Sequence, residues 1–141
     1  MLKLSFADCE KNSSEPSTYV IIGARYRDKW LFVKNRKRKS YEMPAGHVDK
    51  DESDFMAAGR ELMEESGAKK FMLECVNTYY VDSDRGRQKG SLYYAYVMEI
   101  GDIEDQDEIE ECMASGELPE NLTFPEVQAS LFKRVKEHVL K

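Results

Sequence analysis

The sequence contains no run approaching the ~20 apolar residues that cross a bilayer. Met1 to Glu10 has no apolar stretch behind a basic start, so neither membrane insertion nor export is expected. Cysteine is scarce. Cys9, Cys75 and Cys112 form an odd set without CxxC spacing, which argues against a disulfide framework and against a zinc site, and three thiols fit a reducing cytoplasm. Repeats and low-complexity tracts are missing, and no Pro/Gly/Ser-rich stretch divides the chain, although Glu10 to Ser17 reads as a polar connector. At 141 residues the expectation is one domain, 1–141. An excess of positive charge is lacking as well. With 27 acidic against 21 basic residues the net charge is −6, which excludes a general polyanion-binding surface and makes a nucleic-acid polymer an unexpected partner.

What is present reads as mixed α and β. Thr18 to Tyr26 and Lys29 to Lys34 are β-branched and aromatic runs separated by Arg27-Asp28, a hairpin signal. A short extended piece, Tyr41 to Met43, precedes Pro44. Ser53 suits a helix N-cap with Asp54 in the first turn, Phe55, Ala58 and Leu62 fall on one stripe at helical spacing, and Gly67 closes the helix. Phe71 to Val81 and Ser91 to Ile100 alternate as strands, with Asp82 to Gly90 as the polar turn between them. Asp102 to Glu111 is an acidic loop leading into a short strand. Pro125 introduces a last helix, with Val127, Leu131, Val135 and Val139 on one face. Met43, Met56, Met63, Met72 and Met98 read as core fillers.

Between Gly46 and Ala68 the chain runs GHVDKDESDFMAAGRELMEESGA. At 100° per residue, Glu61, Glu64 and Glu65 point within roughly a 100° arc of the helix. Like charges at this spacing cost roughly 0.2 to 0.5 kcal/mol per pair unless something positive covers them. A hard divalent cation is the natural cover, since magnesium takes oxygen ligands and bridges carboxylates to substrate phosphates. Arg60 adjoins the cluster, and its fork of donors suits Glu61 or Glu52 without competing as a ligand.

The segment resembles the Nudix box throughout: Gly46, Glu52, Arg60-Glu61, Leu62, Glu64-Glu65 and Gly67 all stand at the family's spacing, and only Ala68 departs mildly, where a bulkier aliphatic is usual. Allowing for glutamate richness, a chance match is on the order of one in 100,000. The resemblance implies an α+β fold, a Nudix-like α/β/α sandwich with a mixed sheet, a box helix and a C-terminal helix. It implies a Mg2+-dependent hydrolase, with Mn2+ as a substitute, whose ligands match Glu61, Glu64, Glu65 and the Ala45 carbonyl. Glu64 is the first choice for general base, and Glu52, Arg60 and Glu61 complete the catalytic set. Glu108 and Glu110 stand where relatives supply another carboxylate.

Within that resemblance the favoured reaction splits a nucleoside triphosphate, including oxidised forms such as 8-oxo-dGTP, into monophosphate and pyrophosphate. An ADP-ribose or nucleotide-sugar pyrophosphatase is the alternative, and a catalytically inactive nucleotide-binding module the third reading. Substrate contacts are expected from Arg25, Arg36, Arg38 and Gly46, with the run Asn35 to Lys39 as either a phosphate-facing or a solvated loop. His47 reads as structural, and Tyr79, Tyr80, Tyr93, Tyr94 and Tyr96 as packing or base-stacking residues. The partner is a nucleotide, and the protein is a monomer or homodimer.

Overall fold

The computed structural model describes residues 2–9 and 17–140. The expected connector lies outside them except for Ser17, which is buried with its hydroxyl 2.8 Å from that of Ser91. In chain order the elements are β1 (Lys3–Ala7), β2 (Tyr19–Tyr26), β3 (Lys29–Asn35), β4 (Tyr41–Glu42), β5 (Ala45–His47), α1 (Asp54–Ser66), β6 (Ala68–Ser83), β7 (Gly86–Ile100), β8 (Ile109–Ser115) and α2 (Pro125–Val139). Among the described residues no helix is long and apolar enough to cross a membrane.

The strands form one mixed sheet, ordered β1-β6-β7-β2-β3-β4, with β5 added to β2 and β8 to β3. Neighbours are antiparallel except β2 and β7, which run parallel from Tyr19 opposite Gly90 to Tyr26 opposite Val97. The central strand β2 is buried on both faces, so YVIIGARY reads as a continuous apolar run rather than an alternating one. Val20, Ile22 and Ala24 face Ala57, Ala58 and Leu62 of α1. Ile21 faces the other way, onto Leu131, Phe132 and Val135 of α2. The result is a helix on each side of a sheet, the α+β sandwich expected.

α1 begins and ends as its sequence dictates. The Ser53 hydroxyl accepts the Met56 N–H at 3.1 Å, and Gly67 adopts φ 80°, where an added Cβ would run into the Gly101 carbonyl. Ala58 and Leu62 of the expected stripe are buried, and Phe55 is not. Ala57 is fully buried with Ala58 and Leu62, whereas Phe55 is 55% exposed and meets Tyr93 edge-on. Of the five methionines expected in the core only Met43 is there. Met56, Met63, Met72 and Met98 are exposed, because α1 and the strands β6 and β7 turn those positions outward.

Two further expectations change. The turn expected over Asp82 to Gly90 shrinks to Asp84-Arg85, since β6 and β7 pair as far as Ser83 opposite Gly86. Charge makes that polar stretch a good ladder: Arg87 Nε donates to Asp82 at 2.7 Å, and the guanidinium lies over the Tyr80 ring. The expectation of unpaired thiols also fails. Cys9 and Cys75 are joined, fastening the second residue after β1 to the middle of β6, and Cys112 alone is free.

Candidate active site

The box loop and α1 are held together by one side chain. Arg60 Nε donates to Glu52 Oε2 at 2.7 Å and its Nη2 to Glu52 Oε1 at 3.0 Å, a bidentate pair spanning eight residues. The same Nη2 donates to the His47 carbonyl at 3.0 Å. Nη1 reaches Glu61 at 2.7 Å and both Glu64 oxygens at 3.3 Å. These bonds hold the Glu52 carboxyl below its usual range and keep Arg60 charged. The like-charge cost of the helix acids is therefore offset from within the protein.

The acids themselves divide by environment. Glu65 is buried and accepts the Ala45 N–H at 2.9 Å. Burial, reinforced by Glu61 and Glu108, still pushes its carboxyl up to about 9. Burial likewise raises Glu61 to about 7 against the pull of Arg60. Glu108 is raised by desolvation and by its bond with Asp105. Glu61, Glu65 and Glu108, with Glu42, Ala45, Gly46, Asp49, Tyr19, Arg38 and His47, line a cleft of about 260 Å³. Gly46 lets the Glu61 carboxylate lie where it does, because a Cβ at that position would occupy its place and push the side chain aside.

This donor set fits a hard divalent cation. It consists of carboxylates, Glu42 and Glu65 buried, Glu61 half-buried and Asp49 and Glu108 exposed, with one guanidinium, Arg38, among them, and Arg38 is itself turned to Glu42 at 3.1 Å. Among the described residues no three acidic, His or Cys side chains already converge as a finished metal site. Glu61 Oε1 accepts from Arg60 and Glu65 Oε1 from the Ala45 N–H, one oxygen of each carboxylate.

Other expected site residues are placed unevenly. Glu64 is paired with Arg60 and does not line the cleft with Glu61 and Glu65. Arg38 lines the cleft and two adjoining cavities. Glu110 is engaged by Lys34 at 3.2 Å and Lys39 at 2.8 Å, outside the cleft, so the structure does not bring it to the other acids. Arg36 donates to the Gln106 and Ile109 carbonyls and shapes the acidic loop. Arg25 lies over the Trp30 ring on β2, away from the box.

Sequence reasoning missed the neighbouring cavity. It measures about 360 Å³ and is lined by Tyr19, Tyr79, Val81, Phe124, Val127 and Gln128 among others, and it shares Tyr19, Arg38, Glu42 and His47 with the carboxylate cleft. Gln128 is fixed by accepting the Met43 N–H at 3.0 Å, which leaves its amide donors directed elsewhere. The parts come from β2, β6 and α2, and no local motif could have joined them.

Comparison with known proteins bears on this geometry. The family model for the NUDIX domain matches residues 16–138. A protein of Bacillus subtilis (strain 168), provisionally named 8-oxo-dGTP diphosphatase YtkD, is 33% identical over 125 residues, covering 86% of this chain and 75% of its own length. The crystal structure of the Bacillus subtilis pyrophosphohydrolase BsRppH, a glutamate-to-alanine mutant, superposes with TM-score 0.80 at 26% identity, covering 96% of this chain and 90% of that one. The NUDIX domain of Shewanella oneidensis NrtR, complexed with ADP ribose, superposes with TM-score 0.70 at 18% identity, covering 90% of each, and shares the fold.

Proposed function

The chain belongs to the Nudix family and is a hydrolase of pyrophosphate bonds, and from that premise we propose that it cleaves nucleoside triphosphates, oxidised ones included, to monophosphate and pyrophosphate with magnesium. The observation that carries the reading is the shared wall. A cavity of about 360 Å³ with aromatic, aliphatic and amide lining adjoins the carboxylate cleft and shares Tyr19, Arg38, Glu42 and His47 with it. A base seated in the larger cavity would deliver its phosphates to the acids. The 33% identical relative named for 8-oxo-dGTP supports the triphosphate assignment.

Nudix hydrolases generally use divalent cations, and here Glu61, Glu65 and the Ala45 carbonyl, with Glu64 or Glu108, would hold one. When bound, such a cation neutralises phosphate charge and makes a coordinated water more acidic. The protein's own groups do the rest. Arg60 keeps Glu61 and Glu64 in register on α1. Glu64, bonded to Arg60 only at 3.3 Å and still a third exposed, accepts the proton of the attacking water. Arg38 exchanges Glu42 for a phosphate oxygen, and Lys37 beside it meets the far end of the triphosphate. Tyr19, Tyr79 and Gln128 hold the base.

A panel of nucleoside triphosphates, 8-oxo-dGTP, ADP-ribose and nucleotide sugars, with products resolved chromatographically in magnesium, decides among the readings. Monophosphate plus pyrophosphate from a triphosphate is expected. A higher kcat/KM for ADP-ribose than for any triphosphate would replace this reading with the ADP-ribose one. Nucleotide binding without turnover would make the protein an inactive binding module.

A further inference from the structure

β1 is an open edge of the sheet, and contacts on both faces hold it. On the α2 side Leu4 and Phe6 join the cluster containing Leu131 and Val135, and the Arg134 guanidinium lies 4.1 Å from the Phe6 ring centroid. Just past the strand, Cys9 is bonded to Cys75, which packs against the cluster under α1. A five-residue edge ladder is marginal by itself. The bridge is therefore a principal tie. At the opposite end of β1, Leu2 lines the larger cavity together with Val81 and Tyr79, and Leu4 pairs with Val81 in register.

We propose that the Cys9–Cys75 bridge is a redox latch on that cavity: closed, it holds β1 on the sheet and Leu2 in the cavity wall; opened by a dithiol, it loosens the strand and weakens substrate binding while the carboxylate cleft persists. The coupling to substrate rests on the cavity being the nucleotide site proposed above. Both half-cystines are half-buried, so a small thiol reaches them. A thiolate of the dithiol attacks one sulfur and breaks the S–S bond, and the second thiol then displaces the protein from the mixed disulfide. Two electrons and two protons pass to the cysteines, and the reagent leaves as its cyclic disulfide. Burial pushes the Cys112 thiol up to about 12, which keeps it out of the exchange at neutral pH. In a reducing compartment a bond of this kind serves as a transient sensor.

The full chain, air-oxidised and then treated with dithiothreitol, tests this. Alkylation and mass measurement should count one free thiol before treatment and three after. Hydrogen exchange at the Leu4 and Phe6 amides should accelerate roughly tenfold or more, with α1 unaffected, and the melting temperature should fall by roughly 5 to 15 °C. With GTP and 8-oxo-dGTP, KM should rise about three- to tenfold and kcat stay within about twofold. Cys75→Ser should behave as the reduced protein and ignore dithiothreitol, whereas Cys112→Ser should respond as the parent does. Three free thiols in air-oxidised protein, or β1 exchange unchanged by reduction, would overturn the latch. Faster exchange with KM unchanged would overturn its coupling to the cavity. If neither nucleotide is hydrolysed in either state the proposed reaction fails instead, and thiol count and exchange still decide the latch.

Discussion

Glu65 and Ala45 meet through a single 2.9 Å hydrogen bond, from the strand that leads into the box to a carboxylate buried under it. That bond favours the ionised acid, and burial outweighs it: the carboxyl is raised to about 9. A folded-state pKa above the unfolded one means stability that is complete below the unfolded value of 4.5 and drains away as pH climbs through the folded value. Glu61, raised to about 7, contributes in the same direction over a narrower window. In EDTA the melting temperature should therefore fall between about pH 5 and pH 9, and the rise caused by adding magnesium should be larger at pH 9 than at pH 6. Thermal scans across that range check it, and a flat or rising profile in EDTA would contradict the assignment.

Glu65→Gln keeps an acceptor for the Ala45 N–H and removes the charge. Without metal at pH 8 this variant should melt at or above the parent temperature, yet lose the magnesium-induced shift and about 10²- to 10⁴-fold in kcat/KM. Parental turnover by this variant would show that the buried acid is no ligand.

Gly46→Ala places a methyl group where the Glu61 carboxylate lies. Glu61 must then move, and activity should drop by about 100-fold or more while circular dichroism and oligomer size stay as in the parent. An active Gly46→Ala protein would argue that Glu61 has no fixed position in the reaction.

Arg60→Ala would leave Glu52, Glu61 and Glu64 without their common donor. Urea unfolding should show a loss of roughly 2 to 4 kcal/mol, because several partly buried acceptors become unpaired together. Arg60→Lys should recover only part, since an ammonium cannot span Glu52 and Glu61 with fixed geometry. Equal stability of the lysine variant and the parent would sink the fork argument.

The two candidate acids of the second half of the chain should separate cleanly. Glu108→Gln changes the cleft and should lower kcat about tenfold or more. Glu110→Gln removes an exposed pairing with Lys34 and Lys39 and should leave stability nearly as in the parent, with kinetics unchanged. The reverse pattern in steady-state assays would move the second-half carboxylate to Glu110.

Residues whose environment is set locally were legible in the sequence. Ser53, Gly67, the Arg27-Asp28 turn and the phase of Glu61, Glu64 and Glu65 follow from helix and hairpin periodicity, and the box supplied Gly46, Glu52 and Arg60. Burial on α1 was less legible: Ala57 is small enough to pass unnoticed, and Phe55 is apolar yet outward. The methionines misled for a similar reason, since outward positions on α1 and on the long strands β6 and β7 tolerate a flexible side chain. Pairings across the chain left no local trace at all. Cys9 and Cys75 stand 66 residues apart, and β1 is too short and polar to announce itself. The cavity depends on β2, β6 and α2 coming together, so Tyr79 read only as one of several packing or base-stacking strand tyrosines and Gln128 drew no reading at all.

Because Tyr19, Arg38, Glu42 and His47 line two chambers at once, a change in any of them should, on the proposed function, alter recognition and hydrolysis together. Phe124, Val127 and Gln128 touch only the outer chamber. The start of α2 is therefore where, on the proposed function, this scaffold should drift toward a different nucleotide while its phosphate chemistry stays as it is, and a selection for altered substrate range should accumulate its first changes there.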